Sequence, residues 1–251
     1  MNNFSLSHEV AVITGGGTGL GLAMARAFVA AGARVVLVGR RVEPLQAACA
    51  ELGAAATFRA HDVADFAAAP ALLAAVEAQV GPVSILVNNA GVHLKKPVAE
   101  VTENEIGYQM DIHVLGAHAL SRAAYALMKP RGKGSIVFIA SMASLFGIPL
   151  VGAYAAAKTA MLGLMRTMAV EWAPHGVRVN AIAPGWIETD ITRGAVMSDQ
   201  ARLARILQRT PMGRMGQPDD VAGAAVFLCA PAAKFITGVV LPVDGGVSMG
   251  F

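Results

Sequence analysis

Short apolar runs rich in β-branched residues alternate along this chain with longer stretches whose apolar residues recur every three to four positions. The runs are EVAVIT, RVVLVG, ATFRAHDV, VSILVNNA, GSIVFIAS, VRVNAIAP and VVLPVDGG. Between them, the spacing predicts helices over Gly19 to Ala31, Glu43 to Leu52 and Ala67 to Val80. A long helix is expected within Thr102 to Met128, and another from about Gly152 to Trp172. Two further helical patches lie around Gln200 to Gln208 and Asp219 to Cys229. Several runs are apolar throughout, as in parallel strands covered on both faces. Repeated strand–helix alternation implies right-handed βαβ units and a doubly wound parallel α/β sheet. No linker, repeat or low-complexity tract interrupts it, so residues 1–251 are expected to form a single domain. In such sheets ligands bind beyond the carboxyl ends of the strands. Functional motifs are therefore expected just after strands.

Composition narrows the class. Hydrophobic residues make up 55% of the 251 and charged residues 15%, enough for a large core and against disorder. The net charge is +3, but the basic residues fall in separate short clusters, GRR, KK and KPRGK, which gives nucleic-acid binding little support. No apolar run is suited to span a bilayer, and MNNFSLSHEVAVITGG has no basic start followed by an apolar segment. A soluble cytoplasmic protein is expected. Cys49 and Cys229 show no metal-like spacing, so free thiols and no metal are expected.

The first run leads straight into TGGGTGLG, with Gly15, Gly19 and Gly21 spaced G-x-x-x-G-x-G at the start of the first helix. Glycine allows a tight turn and a close backbone approach, and the helix N-terminus presents free N–H groups to an anion. Gly15, Gly17, Thr18, Gly19 and Leu20 are thus candidates for a dinucleotide pyrophosphate, the alternative being an ordinary strand–helix loop. At the end of the second run, where an acidic residue would meet a free ribose hydroxyl, stands Gly39, followed by Arg40 and Arg41. Guanidinium groups suit a 2′-phosphate, so NADP(H) is favoured, with NAD(H) possible. The competing reading is that the two arginines begin a solvated helix.

Tyr154 and Lys158 lie four positions apart in AYAAAKTAML, on one helical face. By spacing alone this could be a packed ring beside a lysine stem. The ordered set TGGGTGLG, HDV, NNAG, a serine before YAAAK, PG and VDGG changes that reading. From Val10 to near the C-terminus, the chain resembles the short-chain dehydrogenase/reductase family of about 250 residues, with its Rossmann-type fold. The resemblance implies that Ser141, 13 positions before Tyr154, polarises a substrate carbonyl. It implies that Tyr154 is the acid in reduction and the base in oxidation. Lys158 is implied to hold the nicotinamide ribose and lower the tyrosine pKa, whose free value is about 10. Further implied cofactor contacts are Asp62 and Val63 near the adenine, Asn88, Asn89, Ala90 and Gly91 beneath the cofactor, and Pro184, Gly185, Ile187 and Thr189 around the nicotinamide.

His113, in DIHVLGAH, stands where the family usually has an asparagine that holds a relay water. A neutral imidazole could serve there, losing that role below roughly pH 6–6.5 as it protonates; the alternative is packing. His93, Met142, Ile148, Trp186 and Met197 are candidate substrate walls, with a substrate-loop segment at about 186–216. The expected activity is an NADP-dependent alcohol dehydrogenase or carbonyl reductase acting on a ketone, a 3-oxoacyl substrate or a sugar-type polyol. A non-catalytic NADP(H)-binding protein on the same fold is the alternative, and a trio retained without cofactor a third reading. The resemblance also implies a homo-oligomer, a tetramer.

Overall fold

The structure is a computed structural model and describes residues 3–189 and 199–249. The seven apolar runs form β1 (Val10–Thr14), β2 (Arg34–Gly39), β3 (Ala56–Ala60), β4 (Val83–Asn88), β5 (Gly134–Ile139), β6 (Val177–Pro184) and β7 (Val240–Val243). They make one sheet in the order β3-β2-β1-β4-β5-β6-β7, every pairing parallel. Helices α1 (Gly19–Ala30), α2 (Val42–Leu52), α3 (Ala69–Gln79), α4 (Glu103–Met110), α5 (Ala117–Met128), α6 (Gly152–Trp172), α7 (Gln200–Arg209) and α8 (Pro218–Cys229) connect or follow the strands. The Rossmann-type architecture is the one the alternation predicts.

Alternate residues of each inner strand enter opposite cores. Val10, Val12, Val36 and Val38 pack with Leu73, Leu120 and Met161 of α3, α5 and α6. Ala11, Ile13, Val35 and Leu37 pack with Met24, Phe28 and Leu228 of α1 and α8. Burying one such large aliphatic or aromatic side chain contributes roughly 1.5–3 kcal/mol. Both faces are therefore dry, which is why the runs read as continuously apolar rather than alternating. Strand order reverses beside β1, whose neighbours are β2 and β4. The loops after β1 and β4 part there and open a crevice.

One predicted element differs. The long helix within Thr102 to Met128 is two α-helices joined by a π-helical turn, Asp111–Gly116. The extra residue in such a turn re-aims a side chain without ending the helix, and apolar periodicity does not register it. His113 lies within this turn. Among the described residues no helix is long and apolar enough to cross a membrane.

Candidate active site

The carboxyl ends of the strands border a cleft of about 510 Å³. Its floor is built by close backbone approach. Gly15 has φ +65°, and a Cβ on Gly21 would lie 2.1 Å from the Gly15 carbonyl oxygen. The loop and the first turn of α1 can thus pack only without those side chains. Asn89 Nδ2 donates to Thr14 O at 2.8 Å, while the Asn89 and Ala90 amides donate to Thr14 Oγ1, both at 2.9 Å. Thr14 so ties the β1 and β4 loops together. Among the described residues no side chain caps the N-terminus of α1, whose first N–H groups face the cleft for an anion.

Arg40 and Arg41 stand on the rim after β2. Arg40 Nη1 lies 3.7 Å from Asp62 Oδ2, with both side chains about half exposed. An ion pair this loose and wet contributes roughly 0–1 kcal/mol, so it does not prevent the guanidinium from meeting a phosphate. A glycine turn that a Cβ would fill and two guanidinium groups without an acidic residue at Gly39 fit a phosphorylated dinucleotide.

Ser141 follows β5, and its Oγ accepts from the Ala143 amide at 3.1 Å. Tyr154 lies in the first turn of α6 and Lys158 one turn later, on the face the spacing predicted. Lys158 is buried; its Nζ donates to Ile139 O at 2.6 Å and sits 5.6 Å from the Tyr154 ring centroid. Burial pushes the Lys158 ammonium down to about 7. Burial pushes the Tyr154 phenol up, opposed by its hydrogen bond with Ser141. This corrects the expected lowering of the tyrosine. The Lys158 ammonium donates to the Ile139 carbonyl, and desolvation is the largest influence on the phenol.

His113 is 1% exposed. Its Nε2 is 2.8 Å from Val92 O, so Nε2–H donates there, the tautomer being assigned from this contact. The Val92 amide, 3.2 Å from the same nitrogen, is then a close approach rather than a second bond. Nδ1 is left as a buried acceptor without a partner among the described residues. The ring meets Tyr154 edge-on, with centroids 5.5 Å apart. Burial, helped by the charge of Lys158, holds its pKa down at about 3. The expected acid limb at pH 6–6.5 is thereby corrected: the ring stays neutral well below that range. His93 lies on the other side, its ring centroid 5.0 Å from that of Tyr154.

The cleft is lined by Gly15, Gly17, Thr18, Gly19, Leu20, Arg40, Arg41, Asp62, Val63, Asn89, Ala90, Gly91, His113, Ser141, Tyr154, Lys158, Pro184, Gly185, Ile187 and Thr189. The substrate candidates His93, Met142, Ile148 and Trp186 line it as well. Asn88 does not; its Nδ2 donates to Ser121 Oγ at 2.9 Å and ties β4 to α5. Met197 lies outside the described residues. His61, Ile112 and Val151 also line the cleft and were not among the sequence candidates. His61 directly precedes Asp62 at the end of β3, a position that could have marked it.

A family model described as enoyl-(acyl carrier protein) reductase matches residues 15–248. Galactitol 2-dehydrogenase (L-tagatose-forming) of Cereibacter sphaeroides is 42% identical over 98% of this chain and 97% of its own. Gluconate 5-dehydrogenase of Gluconobacter oxydans is 38% identical over 98% and 97%. The crystal structure of a gluconate 5-dehydrogenase from Burkholderia cenocepacia J2315 in complex with NADP and tartrate superposes with TM-score 0.94 at 36% identity, covering 100% of this chain and 99% of that one. With glycine turn, serine, tyrosine and lysine gathered in one cleft and relatives matched almost end to end, this chain belongs to the short-chain dehydrogenase/reductase family of nicotinamide-dependent oxidoreductases.

Proposed function

We propose that this protein is an NADP-dependent dehydrogenase that interconverts a secondary alcohol and a ketone on a sugar acid or polyol. The observation that carries the reading is the convergence of Ser141, Tyr154 and Lys158 with the glycine turn and Arg40 on one cleft. The substrate class rests on the galactitol and gluconate dehydrogenases among the relatives. When bound, NADP(H) supplies or accepts the hydride. Gly15, Gly17, Thr18, Gly19 and Leu20 would hold its pyrophosphate, and Arg40 with Arg41 its 2′-phosphate. Asp62 and Val63 would meet the adenine, Asn89, Ala90 and Gly91 the floor, and Pro184, Gly185, Ile187 and Thr189 the nicotinamide end.

Ser141 donates a hydrogen bond to the substrate oxygen, and Tyr154 gives that oxygen a proton in reduction. A phenol pushed up by burial stays protonated at neutral pH, the state a proton donor needs. Lys158, held at about 7, exchanges protons readily at working pH and stands beside Tyr154 to resupply it. His113 belongs to the relay through its Nδ1, which accepts from a water behind Lys158. It acts as acceptor only, since Nε2–H is held by Val92. His93, Met142, Ile148 and Trp186 wall the substrate, and about 186–216 is its substrate-loop segment. The working form is a cytoplasmic homotetramer.

A screen of NADPH oxidation with keto-sugar acids, keto-sugars, simple ketones and 3-oxoacyl esters tests the reading. Turnover of the first two groups is expected, and Tyr154→Phe should remove nearly all of it while NADPH binding persists. Tight NADPH binding without turnover of any ketone would instead make this a cofactor-binding protein.

A further inference from the structure

The segment that follows the turn after β4 is fixed at both ends. At its start the Val92 carbonyl accepts from His113 Nε2 at 2.8 Å. At its end the Lys96 amide donates to Leu150 O at 2.7 Å, and Lys96 pairs with Val151 in a parallel bridge. The Lys96 ammonium adds a bond to Glu105 of α4 at 3.0 Å. Leu150 meets this bridge with φ +69°, a left-handed conformation that is costly for leucine and persists only where surrounding contacts impose it. Between the two anchors stands His93, which lines the cleft. A side chain on a segment held in this way is preorganised for a ligand.

His93 packs its ring beside Tyr154, with centroids 5.0 Å apart and planes inclined by 49°. Its ring nitrogens form no hydrogen bond among the described residues, and the residue is open to the cleft. Partial enclosure first, then the charges of Arg202 and Lys95, hold it below the ordinary histidine value. The ring is therefore neutral at working pH and offers one donor and one acceptor. A hydroxyl group has the same pair of functions. The other polar groups around Tyr154 are committed. Ser141 and Tyr154 are taken by the reacting oxygen, Lys158 donates to Ile139 O, and His113 Nε2 donates to Val92 O. Met142, Ile148 and Val151 of the cleft wall are apolar, and Trp186 has a donor but no acceptor.

We infer that His93 hydrogen-bonds a second hydroxyl of the substrate, on the carbon next to the one that reacts, so that the enzyme selects vicinal diols and their hydroxyketones over simple secondary alcohols. The inference rests on the dehydrogenase reading above and deepens it. The imidazole and the phenol are neighbours, so the two oxygens they meet belong to neighbouring carbons. One neutral hydrogen bond gained or lost corresponds to roughly 3- to 10-fold in affinity.

The test uses butane-2,3-diol and butan-2-ol, which share a four-carbon skeleton and a secondary alcohol and differ by the vicinal hydroxyl. Their dissociation constants are measured by NMR titration of the protein saturated with NADPH, where both partners are already reduced and no hydride can pass. The wild type, His93→Phe and His93→Asn are compared. Oxidation of the two alcohols, of gluconate and of galactitol by the wild type with NADP⁺ is followed in parallel. Unaltered NADPH binding and melting temperature certify the fold of each variant. The wild type is expected to bind the diol more tightly by roughly 3- to 10-fold. His93→Phe, which keeps a ring beside Tyr154, should abolish that preference, and His93→Asn, with a donor and an acceptor, should keep part of it. Equal binding of the two compounds by the wild type, or a preference that His93→Phe leaves intact, overturns the inference even if every alcohol is oxidised. A preference lost in His93→Phe without oxidation of any of the four compounds would uphold the hydroxyl site and remove the dehydrogenase reading instead.

Discussion

His113 illustrates how much one side chain's environment decides. Sequence places an imidazole where an asparagine is usual, and free histidine titrates near 6.5. In the fold the ring is enclosed, donates to Val92 and titrates at about 3. The unfolded chain therefore binds a proton between about pH 6.5 and 3 that the folded chain does not. Stability from this group is full above pH 6.5 and is lost as pH falls, by roughly 1.4 kcal/mol per unit across that window. His113→Asn removes the titration. Urea unfolding at a series of pH values from 7 to 4.5 should show the wild type losing stability faster than the variant. Parallel acid dependence in the two proteins would mean that His113 is not held neutral. The same value means that His113 produces no acid limb in turnover near pH 6.

At the scale of elements, the turn from β1 into α1 and the turn after β2 carry separate tasks. Gly21→Ala would place a Cβ 2.1 Å from the Gly15 carbonyl oxygen. Backbone cannot yield there as a flexible side chain could, so the variant is expected to lose NADPH binding at least tenfold and to melt at lower temperature. Fluorescence titration with NADPH and a thermal melt check both. Arg40→Ala leaves the turn intact and removes one guanidinium. It should weaken NADPH far more than NADH, by the roughly 1.5–3 kcal/mol of a charge-assisted contact. Equal losses for the two cofactors would sink the 2′-phosphate assignment. The π-helical turn shows the opposite relation between element and sequence. Asp111–Gly116 continues the apolar pattern of its flanking helices, yet it is π-helical and carries His113, whose Nε2 donates to Val92 O. Glycine is needed at 116, since a Cβ there would meet Val63 O at 2.6 Å.

Across the whole molecule, both faces of the sheet are covered, yet large apolar side chains remain on the outside. Val170 is 76% exposed and Phe235 fully exposed. These two side chains are where the proposed tetramer would be tested, since association sites bury exposed apolar surface. Light scattering at micromolar concentration should give about four times the mass of one chain, and Val170→Glu or Phe235→Glu should lower it without unfolding the subunit. A monomeric wild type would remove the proposal.

The sheet and its cleft were legible because they rest on local and periodic signals. Apolar runs mark strands buried on both faces, glycine spacing marks a turn that side chains would block, and a four-residue interval puts Tyr154 and Lys158 on one helical face whatever surrounds them. Those properties belong to the chain itself. Electrostatic state does not, because it depends on which groups from distant elements exclude water. The raised Tyr154 phenol, the lowered Lys158 ammonium and the neutral His113 ring all follow from burial that only packing creates. The π-helical turn was hidden because apolar residues recur through Asp111–Gly116 as they do through its flanking helices, so spacing marks no break there. The seat of Arg202 over Trp186 joins residues from α7 and from the loop after β6. No spacing along the chain encodes it, because the contact exists only once α7 has packed its apolar face against that loop.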